Sequence, residues 1–276
     1  MKTCEKGICS LTWEHYQEAV GLRKSHLDLI HRSPAHLQQE LLEPTPATDA
    51  MKWGSLFHMF ILEPDLFDAS YAVLPEKLDM RTNAGKAAWQ EWQDANPGRI
   101  AVDRPSLDVL EAMRDSIYSN PFAKNALTGG KAEQSLFWRH VVGVDEPVLC
   151  KGRLDYISPQ GFLADVKTTK DARPDEFSRS CWSFRYHVQA AFYSDGYEAI
   201  TKAKPEGFLI VAIEKEKPYA VATYLVNEDM TDQGRREYLA DVQRYAECVK
   251  SGVWPAYAEE VQSLMLPVWA QDRREG

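Results

Sequence analysis

The chain has 276 residues, 44% hydrophobic and 26% charged, ordinary proportions for a soluble globular fold long enough to bury a sizeable core. A formal net charge of −9 excludes an all-over basic coat, so contact with a nucleic acid would need positive charge gathered locally. The cysteines, Cys4, Cys9, Cys150, Cys181 and Cys248, contain no Cys-x-x-Cys pair, which argues against structural zinc and for reduced thiols in a cytosolic setting. The longest aliphatic run, 208–213, is far too short to span a bilayer, and residues 1–10 carry no targeting pattern.

Residues 11–45 read as helical, with Ser33 as an N-cap and Pro34 at the first position of one helix. The Pro-rich stretch 43–46 breaks this pattern. Residues 51–62 predict a largely apolar helix that Pro64 stops. Gly54 and His58 share a face of it, the glycine inviting a close approach and the histidine bordering the gap. A lone histidine on an apolar helix is more often a satisfied core residue than a ligand, so His58 needs partners from other segments. Residues 65–105 look irregular, apart from a short helix over 87–94 carrying Trp89 and Trp92, which read as packing residues rather than base-stacking ones. Residues 107–117 have helical spacing, and Asn120-Pro121 ends that helix.

Strands follow. Residues 133–142 are rich in strand formers, with Glu133 at the start. Residues 148–157 and 161–169 form a hairpin around the turn Ser158-Pro159-Gln160-Gly161. Side chains two apart in a strand share a face, so Asp165 and Lys167 point one way and Val166 the other. With Asp155 at the end of the first strand, two carboxylates and one ammonium would meet at one spot. Crowded carboxylates repel unless a cation sits between them. Mg²⁺, a hard ion that takes one or two carboxylates plus water and phosphate oxygens, suits such a place. The lysine could position an attacking water or neutralise charge developing on a phosphate. This is the chemistry of phosphodiester hydrolysis. Asp-x-Lys alone is a weak signal, expected by chance about once in a few hundred residues; the ordered set carries the reading.

Between positions 151 and 185 the basic residues Lys151, Arg153, Lys167, Lys170, Arg173, Arg179 and Arg185 face the acidic Asp155, Asp165, Asp171, Asp175 and Glu176, so this segment is locally positive. Residues 176–180 are polar and precede a helix around 187–196, on which Gln189 and Tyr193 share a face. The run 208–213 has the continuous apolar character of a buried strand, and 220–226 alternates as an outer strand does. A long charged helix over 229–249 precedes an irregular tail with aromatic anchors at 254–257 and 264–269. A helical beginning, a central sheet and flanking helices fit a mixed α/β architecture.

The ordered set Gly54-x-x-x-His58, Glu133, Asp155, Asp165-Val-Lys167 and Gln189-x-x-x-Tyr193 resembles the PD-(D/E)XK nucleases of the RecB-like branch, most of all the RecE (exonuclease VIII) nuclease domain and its phage relatives. Phrases such as Cys150-Lys-Gly-Arg-Leu-Asp155 and Tyr186-His-Val-Gln-Ala-Ala-Phe-Tyr193 are similar to that subgroup, and the similarity runs from about Ser25 to the C-terminus. The resemblance implies a restriction-endonuclease-like α/β fold, a central mixed sheet flanked by helices, in one domain over 1–276. Its helical N-terminal part would cover about 1–130, its catalytic sheet core about 131–226, and its C-terminal helix and tail 227–276.

The resemblance also implies roles. Asp155 and Asp165 would be the main metal carboxylates, with His58 adding an imidazole nitrogen and the Val166 backbone carbonyl a further ligand. Glu133 would orient metal-bound water or join a second metal site, Lys167 would position the water, and Gln189 and Tyr193 would brace the site and touch the DNA strand. Mg²⁺ is the implied metal, and a nitrogen ligand makes Mn²⁺ an acceptable substitute. Some relatives hold an iron–sulfur cluster on four cysteines; this chain lacks the C-terminal cysteine triplet, so no cluster is expected.

The activity implied is 5′-to-3′ exonuclease digestion of linear double-stranded DNA ends, leaving 3′ single strands for recombination with a RecT-like annealing protein. It would take place in the cytoplasm of a bacterial host and away from any membrane, by a phage- or prophage-encoded homo-oligomer that could be a ring. Two alternatives stand beside it: an endonuclease or RNA-acting enzyme with the same metal site, and a non-catalytic DNA-end-binding subunit.

Overall fold

The chain is described by a computed structural model over residues 6–74, 78–141, 143, 147–258 and 260–265. Its first part is a short strand, β1 (Gly7–Cys9), then helices α1 (Trp13–Glu18), α2 (Lys24–Arg32), α3 (Pro34–Leu42) and α4 (Asp49–Leu62). Residues 11–45 are therefore three helices rather than one. Ser33 does stand at the N-cap of α3 with Pro34 behind it, its hydroxyl 2.6 Å from His36 Nδ1. Thr12 and Thr48 cap α1 and α4 with side chains that accept backbone N–H bonds, satisfying donors a helix start leaves open.

The segment expected to be irregular is ordered. Helix α5 (Pro64–Ser70), strand β2 (Tyr71–Leu74), helix α6 (Asn83–Ala95) and strand β3 (Ile100–Asp103) fill most of it, and β2 pairs with β3 in parallel. Pro64 starts α5, its missing N–H costing nothing at a first turn, so it is a beginning as well as a stop. Trp89 and Trp92 stack at 5.2 Å, and Trp92 Nε1 donates to the Val73 carbonyl, which makes them packing residues as expected. Gly54 has open space where its Cβ would be, so no element approaches it closely.

Helices α7 (Arg104–Ser119) and α8 (Pro121–Ala126) lead into strands β4 (Lys131–His140), β5 (Val148–Ile157) and β6 (Phe162–Thr169). Val142, at the end of the expected first strand, lies outside the described residues, as do 266–269 of the tail. Helix α9 (Pro174–Ser183) absorbs the polar stretch 176–180, which is part of a helix rather than its approach. Then come α10 (Tyr186–Thr201), β7 (Gly207–Glu214), β8 (Val221–Leu225) and α11 (Glu228–Ser251).

Among the described residues the strands form a six-stranded sheet in the order β1-β4-β5-β6-β7-β8. Its pairs are antiparallel except β6 with β7, which run parallel and are joined through α9 and α10. A parallel pair needs such a crossover. Apolar side chains on one face pack against α2, α3, α9, α10 and α11; those on the other pack against α4, α5, α7 and α8. This mixed sheet between helical layers is the α/β architecture expected. No helix among the described residues is long and apolar enough to cross a membrane.

Thiol chemistry departs from expectation at one place. Cys150, Cys181 and Cys248 are free and buried, but Cys9 is disulfide-bonded. An odd cysteine count requires only that one be left over, not that all be reduced.

Candidate active site

Strands β5 and β6 pair through Tyr156↔Ala164 and Ile157↔Leu163 alone, then part. Opening a ladder strands backbone donors, and one of them, the Val166 N–H, bonds Asp155 Oδ2 at 2.7 Å instead. The carboxylate expected to bind a metal is thus anchored in the fork between the strands. It also brings the Val166 peptide beside the site.

Three further segments converge there. His58, on α4, has its Nδ1 3.4 Å from Asp155 Oδ2 and 3.9 Å from Glu133 Oε1. Glu133, opposite Asp155 on β4, adopts φ +49°, a left-handed conformation that costs a non-glycine residue on the order of 1–3 kcal/mol. Its other carboxylate oxygen is tightly paired with Arg153 Nε. On β6, Lys167 Nζ forms an ion pair with Asp165 Oδ2 at 2.7 Å. Gln189 Nε2, from α10, donates to Asp165 Oδ1 at 2.5 Å.

Tyr193 stands one helical turn further along α10 with its ring against Gly152. A Cβ at position 152 would lie 2.7 Å from Tyr193 Cε1, so only glycine lets the ring press onto β5. Gln189 and Tyr193 are both buried.

The charges are unbalanced in a way that depends on burial. Burial, then the charge of Asp155, pushes Asp165 up to about 6 in spite of Lys167. The same two causes push Glu133 up to about 7 against Arg153. Asp155 goes the other way: burial would raise it, but His58, Lys167 and the Val166 N–H hold it below the usual range. Burial would lower His58, yet Asp155 and Glu133 hold it up at about 9. Lys167 is likewise held above its ordinary value, since Asp165 and Asp155 outweigh its burial. It is a firm ammonium, suited to donating hydrogen bonds and not to taking a proton.

This donor set fits a divalent cation. His58, Glu133 and Asp155 each offer an atom within 4.8 Å of the others. Asp165 is not one of this group; its carboxylate is buried, pairs with Lys167, and is near enough to feel the charges of Asp155 and His58. A cation would relieve the repulsion that raises Asp165 and Glu133. Mixed oxygen and imidazole ligands suit Mg²⁺ or Mn²⁺ better than a thiophilic metal.

Two residues the sequence reading gave no role belong to this site. Arg153 orients Glu133 and also donates to the Leu11 carbonyl at 2.8 Å. It lies two before Asp155 on the same strand, and that spacing was the available signal. Tyr186 lies beneath Lys167, whose Nζ is 5.0 Å from the ring centre. A cavity of about 1040 Å³, mostly apolar, lies elsewhere, lined by residues such as Leu22, His26, Leu41 and Lys151 but by none of the five residues at the fork.

A sheet that forks between two carboxylate-bearing strands, with Asp-x-Lys on one of them, is the arrangement of the PD-(D/E)XK class. The model of the PDDEXK-like domain of unknown function (DUF3799) matches residues 24–267, and the chain belongs to that family. Among solved structures it is similar to a "putative exonuclease" from Eubacterium rectale, with TM-score 0.60 and 15% identity over 94% of this chain and 96% of that one. At that identity the likeness is one of fold. The structure of SSO0001 matches at TM-score 0.38 and 16% identity over 88% of this chain and 92% of that one, too loosely to carry an argument. No curated protein matches the chain.

Proposed function

We propose that the chain is a metal-dependent nuclease that digests linear double-stranded DNA from its ends. The observation that carries this reading is the grouping of His58, Glu133 and Asp155, drawn from α4, β4 and β5, at the fork, with the Asp165–Lys167 ion pair of β6 near enough for its charges to act on Asp155 and His58. A fold family alone would not suffice, because function resides in the site. Here the site has both the carboxylates to hold a cation and an ammonium beside them.

In this reading Asp155, Asp165, His58 and Glu133 hold Mg²⁺, with the Val166 carbonyl at hand. The ion, when bound, supplies Lewis-acid polarisation of the scissile phosphate. Lys167 Nζ donates to the attacking water or to a phosphate oxygen, offsetting negative charge as it builds. Gln189 fixes the rotamer of Asp165 through Oδ1, and Arg153 does the same for Glu133. The burial of this constellation strengthens each of these electrostatic contacts relative to water.

The preference for ends, the 5′-to-3′ direction and a role in recombination rest on the family resemblance. The test is Mg²⁺-dependent digestion of end-labelled duplexes with each end blocked in turn, beside closed circular DNA. Loss of label from free 5′ ends only, with circles left intact, is the expected result. Circles cut as fast as linear DNA would overturn the exonuclease reading, and no cutting of any DNA or RNA would overturn the nuclease reading.

A further inference from the structure

A ladder of stacked groups leads from the fork to the surface. Lys167 Nζ stands over the Tyr186 ring, and the Tyr186 ring lies 5.7 Å from that of Phe184 with planes 23° apart. Phe184 is 60% exposed. Two residues earlier in the chain Trp182, 64% exposed, stacks on buried His187 at 5.2 Å and 6°. Two large rings so open, one on the last turn of α9 and one at the corner that leads into α10, ask for a partner.

The corner is also rigid. The Phe184 N–H donates to the Ser180 carbonyl at 2.9 Å, and its own carbonyl accepts from Lys24 Nζ at 2.6 Å. Arg185, the next residue, takes the left-handed conformation at φ +53° and ion-pairs with Asp28, Glu237 and Asp241. Floppy exposed aromatics would lose entropy on binding; rings on a fixed backbone lose less.

We propose that Trp182 and Phe184 form a stacking platform for unpaired bases at the end of the nucleic acid whose phosphate enters the fork. The inference rests on the nuclease reading above and adds to it where the strand lies. Every base has a π face, so an aromatic shelf grips a strand without selecting its sequence, as an enzyme advancing through arbitrary DNA requires. Phe184 lies two ring contacts from Lys167. That separation is roughly two or three base steps at about 3.4 Å each, so a base on the shelf and a phosphate in the fork can belong to one strand.

The test uses the full chain, in EDTA, with duplexes carrying 2-aminopurine either at the terminal pair or about ten pairs inside. The wild type should quench the terminal probe and spare the internal one. Phe184→Ala should lose most of that quench and Phe184→Tyr should keep it, with melting temperatures unchanged because the ring is exposed. In Mg²⁺, Phe184→Ala and Trp182→Ala should each lower kcat/KM about tenfold on blunt ends closed by G·C pairs. The loss should persist when the end already carries unpaired bases, because those bases are what the rings stack on. Wild-type quench and rates in both alanine variants would overturn the platform while leaving the nuclease intact. Quench that depends on Phe184 in a wild-type protein that cuts nothing would keep the platform and sink the nuclease. A wild type that neither quenches nor cuts sinks both.

Discussion

Two lysines on neighbouring strands sit in the same protein interior and are treated in opposite ways. Lys151, on β5, is buried and gives its ammonium to three backbone carbonyls, those of Tyr16, Gln17 and Ala19, at 2.8, 3.2 and 2.5 Å. These carbonyls lie at the C-terminal end of α1, where the helix dipole is negative. Burial, and then the charge of Arg23, still pulls Lys151 down to about 8. Lys167, on β6, faces carboxylates and is held above its ordinary value. Carbonyl dipoles satisfy hydrogen bonds without supplying charge, whereas carboxylates supply charge. The first lysine ties a strand to backbone carbonyls; the second balances buried carboxylates, the position that the proposed mechanism uses.

Substituting each lysine separates the two roles. Lys167→Ala should lower kcat on Mg²⁺-loaded DNA digestion by about 10²–10³-fold, on the order of 3–4 kcal/mol of barrier, measured on the folded fraction. Wild-type turnover in that variant would remove Lys167 from the mechanism. Lys151→Met should do the reverse. It leaves buried carbonyls without their donor and should cost about 2–3 kcal/mol in urea unfolding, with the activity of the folded fraction kept. A stable Lys151→Met protein would mean that water replaces the clamp.

A smaller effect tests how β5 is held between these poles. Gly152→Ala drives a methyl into the Tyr193 ring and should destabilise by about 1–3 kcal/mol by calorimetry. A compensating Tyr193→Leu should recover part of the loss, and failure to recover any would argue against that contact as its cause.

The smallest effect is a pH dependence near the clamp. Arg23 Nε donates to His26 Nε2 at 3.0 Å, so that nitrogen must be unprotonated. Burial, then Arg23 and Lys151, lowers His26 to about 4, below the value near 6.5 of an unfolded chain. Between those values the unfolded chain binds the proton more tightly. The contribution to stability is therefore full above pH 6.5 and is lost as pH falls toward 4. His26→Gln keeps an acceptor for Arg23 and cannot titrate. Its melting temperature should therefore fall less than the wild type's between pH 7 and pH 4.5. Parallel curves for the two proteins would show that His26 is not the group responsible.

Much of the site was legible because it is written in strand alternation. The turn at 158–161 and the two-residue step from Asp165 to Lys167 are enough to put a carboxylate and an ammonium on one face. The helices with apolar stripes and capping residues were legible for the same kind of local reason. What escaped was set by tertiary pairing. Strands β2 and β3 have four residues each and make sense only beside one another, so 65–105 looked irregular. The left-handed turn of Glu133 has no local signature in a glutamate. The count of seven cations against five acids between 151 and 185 did not reveal that Arg153, Lys167, Arg173, Arg179 and Arg185 are each ion-paired. The positive surface expected from that count is therefore largely neutralised.

The fork divides the sheet into two leaves. One leaf, β1-β4-β5, carries Glu133 and Asp155; the other, β6-β7-β8, carries Asp165 and Lys167. In the strand ladder they are stitched by two residue pairs, and the bond from Asp155 to the Val166 N–H adds one more thread. A slight change of twist between the leaves alters the gap between the Glu133–Asp155 pair and the Asp165–Lys167 pair, as the jaws of a vice move with one screw. Distant substitutions that stiffen or loosen either leaf should therefore act on the candidate site through its aperture, without touching a single one of its side chains.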